Sequence, residues 1–436
     1  MLGALAPKFA LLCVGVMVAA YAMQAYYGDA AEDGAVVPAR RKLYEYEAGV
    51  CDSFLVSHYK TLAMALLIWG IFYMFWGLAI VCDDYFVTSL EDISEALHLS
   101  SDVAGATFMA AGSSAPELFT SLMGVFAVKN DVGIGTIVGS AVFNLCCIIG
   151  GTALFTPFTL EIDWKPITRD TLFYGVSIAA MIYVLQDGLV TLSESVGLIA
   201  CYVVYVIFMF FNPKIMDCVS NACGETAKKL EEEEKEKEEE EEDEDDSPIA
   251  KAVARPLNLI FEVTIPNCSL PHNKHKYLAT FFTSILWIGV LSYFMVTWAS
   301  KLGCIWNIHP AIMGVTVLAA GTSVPDAIGS LLVARDGQGD MAVSNAIGSN
   351  VFDILLGLGL PWMLACLIWP DQPGVTVDAE ALMPLSIILI ATLFAVYGVA
   401  LASGFRLTKC VGLIFFSFYF IFVAYDLLHE FDKIPF

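Results

Sequence analysis

The sequence predicts an all-α integral membrane protein with ten transmembrane helices, arranged as two inverted five-helix repeats after an N-terminal signal peptide or anchor helix. Three observations support this fold class. The first is composition: of 436 residues, 58% are hydrophobic and 16% are charged, which is too apolar for a soluble protein of this size. The second is the number of membrane-length apolar windows, and the third is an internal repeat.

Apolar windows of about 20 residues match the thickness of the hydrocarbon core of a bilayer. In the first half of the chain, 61–211, they fall at 61–82, 102–126, 132–156, 170–186 and 190–211. In the second half, 277–428, they fall at 277–299, 308–334, 341–368, 380–403 and 409–428. Each half therefore has five windows. Because five is odd, the second half enters the membrane from the opposite side to the first.

Three segments lie outside these two halves. Residues 1–27 carry an apolar run that suits a signal peptide or an uncleaved anchor, and 28–60 are expected to be extracellular. Residues 212–276 form a polar loop whose run EEEEKEKEEEEEDEDD, at 231–246, supplies half of the net charge of −24. We expect that run to be disordered, with weak calcium buffering as the alternative. Residues 429–436 form a short tail.

The basic residues of the short loops predict the orientation, because Lys and Arg favour the cytoplasmic side. If the first window runs from outside to inside, one face receives Lys165, Arg169, Arg335, Arg406 and Lys409. The 212–276 loop is then cytoplasmic, and the C-terminal tail is extracellular. We expect the plasma membrane as the location. A nucleic-acid partner is excluded because the chain has no basic patch.

The twelve cysteines do not form a disulfide framework, because most fall within windows or on the cytoplasmic side. Under the predicted orientation, only Cys51 and Cys304 lie in outer loops. We therefore predict a Cys51–Cys304 disulfide.

The internal repeat relates 105–150 to 314–359 without a gap, at an offset of 209 positions. About a third of the positions are identical. The stretch AAGSSAPELFTS at 110–121 aligns with AAGTSVPDAIGS at 319–330, so that Glu117 pairs with Asp326. Each stretch places a proline and an acid side by side at membrane depth, where both are costly. Two aligned occurrences indicate function rather than packing.

The repeat stretches offer oxygen ligands. Pro116 and Pro325 leave carbonyls in the preceding turns without helical partners, and such backbone is tolerated in a membrane only where it faces protein or water. The other oxygens come from the two carboxylates, Glu117 and Asp326, and from neighbouring hydroxyls and carbonyls: Ser113, Ser114, Thr322, Ser323, Ala110 and Ala319. Oxygen ligands without His or Cys suit hard cations, and paired carboxylates suit calcium.

A second aligned pair flanks these stretches. Asn144 follows Ser140 by four residues, and Asp353 follows Ser349 by the same spacing, which places each pair on one helix face. Asp353 brings the predicted site to three negative charges. Three charges match one divalent and one monovalent cation better than calcium alone.

At these residues the chain resembles the cation/calcium exchanger superfamily, and within it the potassium-dependent sodium/calcium exchangers. The stretches that carry the resemblance begin at Gly105, Gly133, Leu318 and Gly339. The resemblance implies that Glu117 and Asp326 bind calcium and sodium in turn, completed by the hydroxyls and carbonyls named above. It also implies flanking roles for Ser140, Asn144, Ser349 and Asp353, with Asp353 linked to potassium. No cofactor is implied: sodium, calcium and potassium are transported ions.

The resemblance implies a secondary antiporter that works by alternating access and is not an enzyme. The alternatives are a potassium-independent sodium/calcium exchanger, a proton/calcium exchanger and, less well supported, a cation channel. The sequences GQGD at 337–340 and Tyr425-Asp426 are also typical of an intramembrane aspartyl protease. The order of these two elements is reversed for such a protease, and GQGD falls in a loop.

Overall fold

The computed structural model describes residues 60–96, 110–222, 248–268, 273–306, 308–335 and 337–430. The predicted signal peptide or anchor, the extracellular segment up to residue 59, Cys51 and the acidic run at 231–246 lie outside the described residues. Most of the final tail, 431–436, also lies outside them.

The first half is helical almost throughout its described length. In chain order its α-helices are α1 Lys60–Val81, α2 Thr88–Ala96, α3 Ala110–Ser113, α4 Ala115–Met123, α5 Val132–Phe143, α6 Ile149–Phe155, α7 Trp164–Leu185 and α8 Leu192–Ala222. Wider π-helical turns join several of them, at Cys82–Val87, Gly124–Val128 and Asn144–Ile148. Helix α9, Pro248–Thr264, lies in the segment predicted as the central loop.

The second half repeats this succession. Its helices are α10 Tyr277–Trp306, α11 Pro310–Met313, α12 Ala319–Thr322, α13 Val324–Arg335, α14 Gly339–Phe352, α15 Gly359–Ile368, α16 Ala379–Ala402 and α17 Lys409–Glu430. A 3-10 turn at Lys274–Lys276 precedes α10, and π-helical turns occupy Gly314–Leu318 and Asp353–Leu358. The π-helical turns at Asn144 and Asp353 begin at aligned positions of the repeat. Such turns are rare and often mark functional sites.

Within the described residues, seven helices are long and apolar enough to cross a membrane, and a bent pair raises the number to eight. The bent pair is Pro310–Thr322 with Val324–Arg335, which meet at 43°. Large apolar side chains are exposed on several of these helices, among them Trp69, Leu172, Phe282 and Phe394. In an integral membrane protein this surface faces lipid. By contrast, the rod from Val132 to Phe155 is buried and forms the centre of the molecule.

The central rod crosses the second half at very close range, which small residues make possible. A Cβ atom added to Gly139 would lie 2.4 Å from the Val315 carbonyl oxygen, and one added to Gly314 would lie 2.3 Å from the Val132 carbonyl oxygen. These distances show that backbones are in contact here. Small residues at membrane helix crossings allow this approach.

Two short antiparallel strand pairs connect the halves. Strand β1 (Leu160–Glu161) pairs with β4 (Arg406–Leu407), and β2 (Leu189–Val190) pairs with β3 (Val375–Thr376). Each pair joins a loop of the first half to a loop of the second. An exposed ion pair between Arg406 and Glu161, 3.0 Å apart, adds little energy to the first pair.

Two aligned aspartates also tie the halves together. The Asp378 amide donates to Asp131 Oδ2 at 3.2 Å, and the Asp163 amide donates to Asp340 Oδ1 at 2.6 Å. Asp163 and Asp378 are the N-caps of α7 and α16. Asp131 and Asp340 therefore each accept a hydrogen bond from the backbone at the start of a helix in the other half. Asp340 is exposed, but it lies in the first turn of α14 and not in a loop as predicted, and it has this structural contact.

Candidate cation site

Both repeat stretches contain the same backbone break. Ser114 lies between α3 and α4 with φ −89° and ψ 8°, and Ser323 lies between α12 and α13 with φ −85° and ψ 7°. Proline follows each break by two residues and lacks the N–H that would bond to the preceding turn. Two helices in each half are therefore separated by one non-helical residue, as the sequence predicts.

The break places each acid at the start of a new helix. Glu117 lies in the first turn of α4, and Asp326 lies in the first turn of α13. Unpaired N–H groups and the helix dipole give such a position a partial positive charge, which stabilises a carboxylate. Both acids are buried, with 1% and 3% of their surface exposed. The proline break thus supplies part of the compensation that a buried acid needs.

The two stretches face each other. The Ser323 hydroxyl, from the second stretch, donates to Glu117 Oε1, from the first, at 3.3 Å. Thr322 also faces Glu117, and Glu117 interacts electrostatically with Asp326. In the opposite direction, Ser113 of the first half faces Asp326, which Ser349 of its own half also faces. Hydroxyls from each half are therefore directed at the carboxylate of the other.

Asp353 joins this group from the flanking π-helical turn. It is buried, and it interacts electrostatically with Glu117, Asp326 and the Ser114 hydroxyl. Serine hydroxyls face Asp326 and Asp353, but among the described residues none makes a hydrogen bond of good geometry to either oxygen of these two carboxylates, and Glu117 Oε2 also lacks one. Buried polar atoms without partners are costly in proteins. A cation bound among these oxygens removes that cost, so the donor set fits a cation.

Asn144 binds across the repeat rather than to an acid. Its Nδ2 donates to Asn350 Oδ1 at 2.9 Å and to Ser349 Oγ at 3.3 Å, and the Asn350 amide donates to the Ala141 carbonyl at 3.4 Å. Asn350 is fully buried and was not among the predicted site residues. Its aligned position is Ala141, so the repeat gave no signal for it. Its polar side chain in the middle of a membrane window was the signal that could have found it.

The remaining predicted ligands have backbone contacts. Ser140 donates to the Ile137 carbonyl at 3.0 Å. The Ala319 carbonyl accepts the Ser323 amide at 3.3 Å and the Thr322 hydroxyl at 3.5 Å. Ala110 is the first residue of α3. Cys304 is disulfide-bonded, while its predicted partner Cys51 lies outside the described residues, so the pairing stays a prediction.

Within the described part of the chain, no three His, Cys, Asp or Glu side chains converge closely enough to hold a metal by themselves. A cation at these carboxylates would therefore also need hydroxyl, amide or carbonyl oxygens as ligands. Neutral oxygens around a few carboxylates bind hard cations reversibly, whereas a dense carboxylate cage holds them tightly. The fold and these residues define an integral membrane protein with buried carboxylate and hydroxyl oxygens that face one another between two halves.

The sequence matches the sodium/calcium exchanger protein family over residues 67–211 and 276–428, and the chain belongs to that family. Its relatives include the human "Sodium/potassium/calcium exchanger 4", 34% identical over 86% of this chain and 83% of the relative. The mouse "Sodium/potassium/calcium exchanger 3" is 35% identical over 84% and 81%. The chicken "Sodium/potassium/calcium exchanger 2" is 33% identical over 88% and 80%. The potassium-dependent subfamily predicted from the repeat is confirmed.

Among solved structures, the chain is similar to the sodium-calcium exchanger NCX_Mj. In the form soaked with zero Na⁺ and Ca²⁺, the TM-score is 0.47 at 21% identity, covering 82% of this chain and 99% of that one. In the form soaked with 100 mM Na⁺ and 10 mM Sr²⁺, it is 0.48 at 22% identity, covering 82% and 98%.

Proposed function

We propose that this protein is a secondary antiporter that exchanges sodium for calcium together with potassium by alternating access. The observation that carries the proposal is the contact between the two broken helices. The Ser323 hydroxyl of one half donates to the Glu117 carboxylate of the other, beside Asp326. One cation at this point contacts both halves, so ion binding and the relative position of the halves are coupled.

Glu117 and Asp326 are the central ligands in this proposal and take calcium and sodium in turn. Ser113, Ser114, Thr322 and Ser323 supply hydroxyls, and Ala110 and Ala319 supply carbonyls. Ser140, Asn144 and Ser349 support the flanks. Support for these roles comes from the buried carboxylate oxygens without partners and from the hydroxyls that face them.

Charge explains why the exchange is coupled. An empty site with three buried carboxylates carries a large electrostatic cost, so it does not move through the closed state that alternating access requires. Either calcium with potassium or several sodium ions neutralise it. Because both sets use the same carboxylates, they exclude each other. Co-transport of potassium with calcium is therefore part of the proposal.

Potassium is assigned to Asp353. Where the first repeat has the amide Asn144, the second has this carboxylate, and it lies near Ser114 and Asp326. A potassium-independent sodium/calcium exchanger and a proton/calcium exchanger remain the alternatives, and the third carboxylate is the feature that argues against both. A channel is less well supported, because paired broken helices at one site suit alternating access.

The architecture we propose is ten transmembrane helices in two inverted halves, 61–211 and 277–428, with repeats at 105–150 and 314–359. Residues 1–27 form a signal peptide or anchor, 28–60 and 429–436 are extracellular, and 212–276 are cytoplasmic. The plasma membrane is the proposed location, with a Cys51–Cys304 disulfide on the outer face. The protein needs no cofactor and is not an enzyme: Asp340 of the GQGD sequence is exposed and holds the Asp163 amide.

The decisive test measures calcium uptake into vesicles driven by an outward sodium gradient, with and without external potassium. We expect uptake to require both the gradient and potassium. Uptake driven by a proton gradient alone would favour the proton/calcium exchanger. Sodium-driven uptake that ignores potassium would leave a potassium-independent exchanger. Replacing the acidic run at 231–246 with Gly and Ser should leave exchange unchanged, and reduced exchange would support the buffering alternative.

A further inference from the structure

The proposed site has two sides, one at Asn144 and one at Asp353. They differ in a residue that lies outside both repeats. Helices α7 and α16 lie outside the repeats, yet they are equivalent. Each begins at an N-cap aspartate, Asp163 or Asp378, that is held by the other half. When those two residues are aligned, six positions are buried in both helices. In that alignment, Tyr174 of α7 corresponds to Leu389 of α16.

Tyr174 lies on the Asp353 side of the proposed site, to which potassium is assigned. Helix α7 packs against the π-helical turn that begins at Asp353, and Tyr174 interacts electrostatically with Asp353. The tyrosine has no exposed surface, and its hydroxyl has no hydrogen-bond partner among the described residues. Both Asp353 oxygens are in the same position. A buried phenol and a buried carboxylate therefore interact where α7 packs on this turn, and Tyr174 also interacts with Cys146 of the turn that begins at Asn144.

The other flank shows the complementary pattern. Helix α16 packs against the π-helical turn that begins at Asn144 and carries Leu389, which is fully buried and has no polar atom. Asn144 donates its side-chain N–H groups to Ser349 and Asn350, while its Oδ1 has no hydrogen-bond partner among the described residues. The Tyr174 hydroxyl is thus on the side of the Asp353 carboxylate, and the apolar Leu389 is on the side of the Asn144 amide.

A second tyrosine does not explain this difference. Tyr202 of α8 also interacts with Asp353, and its ring packs edge to face on Phe352 with centroids 5.5 Å apart. The other half keeps this arrangement, because Tyr419 of α17 packs edge to face on Phe143 at 5.4 Å. Tyr202 and Tyr419 are therefore equivalent residues, one on each side of the site. Tyr174 differs from them because its equivalent residue is Leu389.

We propose that the Tyr174 hydroxyl belongs to the monovalent-cation subsite of Asp353 and sets its affinity for a large, weakly hydrated cation such as potassium. This inference rests on the proposed function, since it concerns the potassium part of the same site. A monovalent cation leaves water only if several neutral oxygens replace its hydration shell. A phenol oxygen is such a ligand, because it has lone pairs without adding a charge.

The test compares Tyr174→Phe with the wild type in sodium-driven calcium uptake, over a series of external potassium concentrations. The substitution removes one oxygen and keeps the ring. We expect the half-saturating potassium concentration to rise about 3- to 10-fold, which corresponds to the loss of one hydrogen-bond-strength contact. The maximal rate at saturating potassium and the half-saturating calcium concentration should stay within about twofold of the wild type.

Tyr419→Phe is the matched control, because it removes the same atom from a fully buried tyrosine on the other flank. It should leave the potassium dependence unchanged. A second readout avoids transport: potassium should raise the melting temperature of the purified protein, with a half-effect concentration that shifts by the same factor in Tyr174→Phe.

The outcomes separate the inference from the proposed function. Potassium-dependent wild-type uptake with an unaltered potassium dependence in Tyr174→Phe would overturn the inference and leave the antiporter proposal standing. Equal weakening of calcium and potassium would show a general structural role and would also overturn it. Wild-type uptake without any potassium dependence would overturn the potassium assignment and the inference together.

Discussion

The two halves of the cation site share a backbone and differ in chemistry. Both break their helix at a serine with nearly the same φ and ψ, and both place an acid in the next turn. They differ on the flanks, where the first half has Asn144 and the second has Asp353. The shared backbone places one carboxylate from each half at the proposed site. The different flanks make that site asymmetric, with an additional negative charge on one side only.

This difference suggests how a duplicated fold acquires a second ion. Two equal halves would give a site with matching ligands on each side, which suits one ion or a symmetric set. Replacing an amide by a carboxylate on one flank adds a charge without changing the crossing of the helices.

The largest effect should come from the shared carboxylates. Glu117→Gln and Asp326→Asn should each lower sodium-driven calcium uptake at least about 20-fold, because each removes a central charge that calcium needs. Asp371→Asn, in an exposed loop, serves as the control for a lost carboxylate and should keep wild-type uptake. Surface biotinylation checks that all variants reach the membrane. Substantial uptake by either site variant would contradict the proposed ligands.

The next effect should separate the two flanks. Asp353→Asn gives the second side the same amide that Asn144 gives the first, and we expect potassium to lose its stimulation of calcium uptake. Asn144→Asp is the complementary variant, and it should not restore potassium stimulation in the Asp353→Asn background, because Tyr174 lies on the Asp353 side. The measurement is the ratio of uptake with and without external potassium. An unchanged ratio in Asp353→Asn would contradict the assignment.

A third comparison uses aligned glycines. Gly139→Ala should destabilise the protein by about 1–3 kcal/mol, since its Cβ would meet a backbone oxygen at 2.4 Å that cannot move aside. The aligned Gly348→Ala should cost much less, because the nearest atom to its Cβ is the Tyr205 hydroxyl at 3.7 Å. Thermal unfolding followed by size-exclusion chromatography in detergent measures both. Equal losses of stability in the two variants would contradict a stabilising role for the close backbone contact at Gly139.

The last effect, which is no larger and depends on pH, concerns Asp131, outside the membrane-spanning segments. Burial raises its pKa from 3.8 to about 6, against a lowering by the Asp378 amide. A raised pKa in the folded state means that stability is lost as pH rises from about 4 to about 6. Asp131→Asn keeps an oxygen acceptor but cannot ionise. It should therefore gain up to about 1–3 kcal/mol relative to the wild type across that range.

Melting temperatures of both proteins at pH 4, 5, 6 and 7 measure this gain. The difference between variant and wild type should grow with pH and level off above about pH 6. A constant difference would show that the Asp131 carboxyl does not titrate in this range.

The paired acids were predictable because their signal is local. A proline followed by a carboxylate in an apolar window has an unfavourable insertion energy wherever it occurs, and its repetition at a fixed offset identifies Glu117 and Asp326 without a structure. Asn350 escaped prediction because its aligned residue, Ala141, is apolar. Its role depends on which side chain lies across the interface, and sequence spacing does not contain that information.

The sequence by itself determined the apolar windows, the two breaks and the residue types at the site, because hydrophobicity, proline and charge act through local free energies. Only the tertiary structure decided which groups meet. It directs the hydroxyls of one half at the acid of the other, ties Asp131 and Asp340 to opposite helices, and brings Tyr174 beside Asp353. These contacts join residues far apart in the chain, so they depend on packing rather than on local preference.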